Sequence, residues 1–133
     1  MKTSAIQAGA TYFAIVFAAG FAFGTVRAVL VANAQQMRLV AVAIELPLIL
    51  AVSWFACGYA VRRFAVPRTV SARATMGATA FVLLLAAEVA IGVGLAGRSL
   101  GEHFALYGEA SHALGLAGQF IFALLPVARI RWP

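Results

Sequence analysis

Charge is scarce in this sequence. Charged residues make up 11% of the 133, against about 25% in ordinary soluble domains. There is no aspartate at all, and four glutamates stand against nine arginines and one lysine. With 64% hydrophobic residues and a mean hydropathy of +0.98, too few polar groups remain to clothe a water-facing surface. That excludes a soluble enzyme, a nucleic-acid-binding domain and a disordered segment. The net charge of +6 is therefore not a nucleic-acid signal, because the arginines punctuate apolar runs as topology markers do. Cysteine is nearly absent too. The single Cys57 rules out an intrachain disulfide and any CxxC redox or zinc motif, and reads as a small apolar packing residue.

What is present is long apolar runs. Four lie between charges, at residues 3–26, 39–61, 74–97 and 110–128, with only Glu45 and Glu88 inside them. They are 24, 23, 24 and 19 residues long, and about 20 helical residues cross a hydrocarbon core of roughly 30 Å. The ten-residue alternation of membrane strands is missing. The spacing predicts an all-α, four-helix transmembrane bundle in a single domain, 1–133, with helices over about 6–31, 39–61, 74–97 and 110–128.

The connections are short and imply antiparallel neighbours threaded up-down-up-down. The first, around residues 32–38, carries Asn33, Gln35 and Gln36. The second, residues 62–73, holds four arginines and Pro67. The third, residues 98–109, has room for a short interfacial helix. Ala32-Asn33-Ala34 has the form of a signal-peptidase site, but the apolar run before it is far longer than a signal core and Arg27 intervenes, so no cleavage is expected.

Basic residues set the orientation. The N-terminus, second connection and C-terminus hold Lys2, Arg62, Arg63, Arg68, Arg73, Arg129 and Arg131, whereas the other two connections hold Arg38 and Arg98. Seven against two predicts both termini in the cytoplasm. Tyr12, Tyr59 and Trp132 then fall near the cytoplasmic interface and Tyr107 near the outer one. The Arg-over-Lys and Ala-rich usage points to a bacterium, hence to a multi-pass protein of the bacterial inner membrane. The Arg62–Arg73 cluster reads as a topology anchor touching anionic lipid.

The polar residues inside the runs converge in depth. Arg27 lies near the outer end of helix 1 and Glu45 near the outer start of helix 2. Glu88 is ten residues before Arg98, roughly 15 Å from the same face. His112 opens helix 4, with Gln119 seven residues deeper. Antiparallel threading therefore predicts an intramembrane polar cluster of Arg27, Glu45, Glu88, His112 and Gln119. Helical phase places Gly20, Gly24, Arg27 and Val31 on one face of helix 1, a small-residue groove suited to helix packing. One arginine and two glutamates leave a surplus carboxylate. Arg27 pairs with one of them, either as static glue or with the other poised to titrate. Pro47, two residues past Glu45, frees the carbonyl of Ala43.

His112 reads as a hydrogen-bonding histidine at a helix start. A bis-His haem needs a second suitably placed histidine, and the other one, His103, lies in the outer connection. Glu109-x-x-His112 has half the spacing of a di-iron site without the remaining ligands. No metal and no cofactor is expected.

Gly20-Phe-Ala-Phe-Gly24-Thr-Val-Arg27 is similar to the opening of four-helix bacterial fluoride channels. Their broken third helix, however, has no counterpart in the uninterrupted stretch 80–88. Small multidrug exporters place a glutamate where this chain has Arg27, and quinone-linked disulfide oxidases need cysteine pairs. The chain more closely resembles a small proteobacterial four-helix integral membrane family. That resemblance rests on Gly20–Arg27, Glu45-Leu-Pro47, Ser53-Trp54-Phe55-Ala56-Cys57, Arg62-Arg63-Phe64-Ala65-Val66-Pro67 and Gly97-Arg98-Ser99-Leu100. It implies fold and location and brings no activity with it.

Two functions follow as expectations. The first is a non-catalytic subunit or assembly partner of a larger membrane complex. Its partners would be the lipid bilayer and another membrane protein or a second copy, and not nucleic acid. The alternative is a small proton- or cation-coupled transporter working through Glu45 and Glu88.

Overall fold

The computed structural model describes residues 2–30 and 37–132. The expected connection residues Asn33, Gln35 and Gln36, and Val31 of the small-residue face, lie outside the described residues. The described chain is helical throughout, without a strand. Helix α1 runs Lys2–Leu30, α2 Arg38–Arg63 and α3 Val70–Val89, which continues as a π-helix over Ala90–Leu95. A short α4, Leu100–Ala105, leads through a 3₁₀ turn at Leu106–Gly108 into α5, Ala110–Ala128. Four of these stretches are long and apolar enough to cross a membrane: Thr3–Leu30, Arg38–Arg63, Val70–Leu95 and Ala110–Ala128.

Local chemistry explains the boundaries. Helix α3 starts earlier than the apolar run because Thr69 caps it, its hydroxyl accepting from Ala72 N at 3.2 Å, as an extended N-cap does. Helix α2 stops in a Schellman arrangement. Val66 N donates to Val61 O at 3.1 Å and Ala65 N to Arg62 O, with Ala65 itself at φ 49. A non-glycine residue in that region is held there by the closed hydrogen bonds around it. The π-helix ends at Gly97, whose φ of 71 suits glycine. Ser99 and Glu102 then form a reciprocal capping box that starts α4, satisfying two otherwise orphan donors.

Helix α1 packs on α2 and α3, and α5 packs on the same two. Helices α2 and α3 therefore stand across one diagonal of the bundle, although only six residues join them. This is within reach: six residues span up to about 20 Å, and the diagonal of a square of helices about 9 Å apart is roughly 13 Å. The short connection thus does not make side-by-side neighbours of α2 and α3.

The buried apolar core draws on the first halves of α1 and α3, the last part of α2 and the later part of α5. It includes Ala8, Tyr12, Val16, Cys57, Met76, Ala80 and Phe122. Tyr12 pins the other diagonal. Its ring stacks on Phe122 with centroids 4.3 Å apart, and its hydroxyl donates to Phe122 O at 2.7 Å. That carbonyl is available because Pro126, four residues on, has no N–H to give it. Close approach is bought with glycine at two crossings. A Cβ at Gly9 would lie 2.6 Å from Met76 O, and one at Gly77 would collide with the Ala123 carbonyl.

Two arginines counted as topology markers are part of this core. Arg73 is only 2% exposed and donates to Pro67 O at 3.1 Å and Pro126 O at 3.2 Å. Arg129 donates to Trp54 O at 3.0 Å and lies over the Trp54 ring, 4.2 Å from its centroid. Arginine can be buried this way because its fork satisfies several carbonyls at once and its face suits an aromatic ring. The other half of the bundle is looser. Phe21, Val29 and Leu30 of α1 and Leu39, Ile44 and Leu48 of α2 are exposed there.

Candidate functional site

The looser half carries the polar residues, and they fall into three groups rather than one cluster. Arg27 donates to the Glu45 carboxylate, joining α1 to α2. The side chains are 32% and 19% exposed, respectively. This pair forms because Arg27 sits one turn from the end of α1 and Glu45 two turns into α2.

Glu88 of α3 belongs to a second group. One carboxylate oxygen accepts from the Gln119 amide of α5, and the other from the Tyr107 hydroxyl at 3.2 Å. Both donors are neutral, and Glu88 has no cation against it among the described residues. Tyr107, just outside the membrane-spanning stretches, has its phenol pushed up to about 12 by burial first and by the Glu88 charge second. It therefore stays protonated and able to donate at neutral pH.

His112 forms the third group, at the start of α5. Its Nδ1 lies 3.3 Å from a Glu109 carboxylate oxygen and 3.5 Å from Ser111 Oγ. This is a local contact of the first helical turn. Outside the spans, Glu102 is exposed, and its carboxyl is held below the usual carboxylate range by the backbone N–H of Ser99, with Arg98's charge adding to the effect.

The small residues of α1 are placed differently from those at the tight crossings. A Cβ at Gly20 would meet only Ile49 Cδ1, at 3.8 Å, and one at Gly24 only Arg27 Nη2, at 3.5 Å. Both distances are ordinary van der Waals contacts. The glycines pressed against neighbouring helices are instead Gly9, Gly58, Gly77, Gly92 and Gly118.

Two residues were not among the predicted site residues. Tyr107 reads in sequence as an interfacial belt residue, and its bond to Glu88 depends on how α4 folds back. His103 reads as a loop histidine. In the structure it is 6% exposed, packed against Gly92 of the π-helix, where a Cβ would collide with its Nδ1 and come within 3.1 Å of Arg98 Nη2. The signal available in the sequence was the i, i+4 spacing of Glu88 with Gly92 and of His103 with Tyr107, which stacks each pair on one helical face.

Beside Tyr107, between α3 and α5, lies an apolar recess of about 620 Å³. Phe81 and Phe120, stacked at 5.2 Å, line it together with Phe104 and Tyr107. Among the described residues no group of three or more metal-ligating side chains is assembled. No protein-family model, curated protein or solved structure matches this chain.

Proposed function

We propose that this chain is a non-catalytic integral protein of a bacterial inner membrane, acting as a subunit or assembly partner in a larger membrane complex. Its helices thread up-down-up-down, and both termini face the cytoplasm. The orientation is supported by the seven basic residues that share one side against two on the other.

The observation that carries the partner role is the Arg27–Glu45 pair with its surroundings. An arginine side chain 32% exposed within an apolar span is costly if lipid is its neighbour, since a central charge costs about 2.5–3.5 kcal/mol on insertion scales. A second helix laid over Arg27 removes that cost. Gly24 and Gly20 lie one and two turns back along the same face, unused by any tight crossing inside the bundle. Small residues at i and i+4 are what a close helix–helix approach in a membrane needs. The partner is thus another membrane helix, from a different chain or a second copy.

Purification from native membranes with mass spectrometry of co-migrating chains tests this reading, alongside a Gly20→Leu/Gly24→Leu variant. Co-migration that disappears in a well-folded double variant is the expected result. A lone monomer from native membranes, with a variant of unchanged behaviour, refutes it.

A second reading, a proton-coupled transporter, is favoured by one observation: Glu88 is held by two neutral donors while Arg27 is spent on Glu45. Of the two carboxylates, Glu88 is then the one free to take and release a proton. PH-driven flux in reconstituted vesicles that vanishes in a folded Glu88→Gln variant is the expected result under this reading. A silent wild type refutes it.

A further inference from the structure

Among the described residues, every buried side-chain polar atom without a hydrogen-bond partner belongs to one of three residues: Arg98, His103 and Gln119. For His103 both ring nitrogens are buried and unpartnered. Leaving such atoms unpaired is costly, so their gathering in one place calls for a function. Gln119 touches Glu88 directly, and His103 and Arg98 lie against Gly92, four residues further along the same helix. Gln119 and Tyr107 hold the Glu88 carboxylate. The His103 ring stands edge-on to Tyr107, with centroids 6.0 Å apart. Arg98 and His103 meet over Gly92, one helical turn beyond Glu88 toward the face that carries residues 98–109.

The π-helix makes this possible. Its wider turn carries the Arg98 N–H to Gly92 O at 3.0 Å and offers a side-chain-free surface for the imidazole. π-turns of this kind recur at functional sites.

We propose that Arg98, His103 and Tyr107 form a proton-access path from the face carrying residues 98–109 to the Glu88 carboxylate. This rests on the second reading above and names its entry route.

The steps balance. A hydronium ion gives its proton to one ring nitrogen of His103 and is left as water. The proton on the other ring nitrogen passes to the Tyr107 oxygen through one bridging water, since neither ring nitrogen has a direct hydrogen-bond partner. The Tyr107 phenolic proton moves to Glu88. The products are a neutral Glu88 acid, a neutral Tyr107 and His103 in its other tautomer. Imidazole serves because it accepts at one nitrogen while donating at the other. The Arg98 guanidinium lies beside the ring over Gly92, and the Glu88 carboxylate, held by the Tyr107 hydroxyl, takes the proton at the inner end. Of the other charged groups in this half, Glu102 is held by Ser99, Glu109 by His112 and Glu45 by Arg27, while Arg38 lies toward His112.

The test uses the full chain in lipid vesicles and infrared spectroscopy. The protonated-carboxyl stretch of Glu88 is identified by its absence in Glu88→Gln. After a pH jump on the side carrying residues 98–109, this band rises in wild type. In His103→Ala it rises many-fold more slowly to the same end point, in Tyr107→Phe it also rises many-fold more slowly, and added imidazole restores the rate in His103→Ala. A merely structural histidine would not show that rescue.

Should the variants not fold, nitrogen NMR of labelled His103 in an otherwise intact His112→Asn chain decides. Ring nitrogens exchanging with bulk protons support the path, and ring nitrogens isolated from them overturn it. Unchanged band kinetics in both folded variants also overturn it. The two proposals fail separately. A responsive Glu88 band with no vesicle flux keeps the path and removes the transporter. Flux at an unchanged rate in His103→Ala removes the path and keeps the transporter.

Discussion

Replacing Tyr12 by Phe isolates one hydrogen bond at the centre of the bundle. Tyr12 is fully buried, so its ring and the stacking on Phe122 remain while the hydroxyl that donates to Phe122 O at 2.7 Å is lost. Helix α5 cannot satisfy that carbonyl, because the residue four positions on is Pro126. The change therefore leaves a buried acceptor without a partner, at about 1–3 kcal/mol. Interhelical bonds in membranes are worth less, averaging about 0.6 kcal/mol and reaching about 1.7, so a loss of about 0.5–2 kcal/mol is expected.

The diagnostic step is a double-mutant cycle with Pro126→Ala. Alanine returns an N–H that can close the helical bond to Phe122 O, so the hydroxyl is no longer needed. In that background Tyr12→Phe should cost less than half as much. The Pro126→Ala change has its own packing cost, which the cycle cancels. Reversible unfolding in mixed micelles, followed by circular dichroism, supplies the four free energies. An equal cost of Tyr12→Phe in both backgrounds would refute the claim that the proline is what makes the tyrosine necessary.

Arg27→Leu should destabilise the fold by about 1–3 kcal/mol, less than the roughly 3–5 kcal/mol of a fully buried pair because Arg27 is partly exposed. Adding Glu45→Leu should recover most of that in the same unfolding assay, whereas adding Glu88→Leu should not. Gly77→Ala drives a methyl into the Ala123 carbonyl and should lower the melting temperature clearly, whereas Gly20→Ala in purified monomer should leave it nearly unchanged. The folded Tyr107 phenol titrates higher than a free one, near 12 against 10. Its contribution should hold below pH 10 and disappear as the pH climbs through 12, with phenolate absorbance compared between wild type and Tyr107→Phe as the measure. Glu102 shifts the opposite way. Its support of α4 is present above the ordinary carboxylate range and declines as the pH falls through the lowered value. Glu102→Gln should remove that acid dependence from the amide exchange of residues 100–105.

The sequence alone determined the all-helical character and the four long apolar helices. Both follow from run lengths and charge scarcity, which depend on no tertiary contact. It also placed Arg27, Glu45, Glu88 and Gln119 along their helices, because depth follows from counting residues. Which of them touch was settled only by tertiary structure. Arg27 had two candidate carboxylates at compatible depths, and the ring order of the helices decided for Glu45 by setting α1 beside α2. The same packing sends α3 toward α5, so Glu88 meets Gln119. Spacing could put Tyr107 and His103 on one face but not against Glu88 and Gly92, because both lie in the connection before α5. There a π-turn and a six-residue helix, rather than a repeating period, decide where side chains point. Likewise, Arg73 and Arg129 carry the same charge in sequence as the exposed Arg62 and Arg63. They became core residues because Pro67, Pro126 and Trp54 offered them carbonyls and Trp54 offered Arg129 a ring, and no pattern along a single chain records which carbonyls a neighbouring element presents.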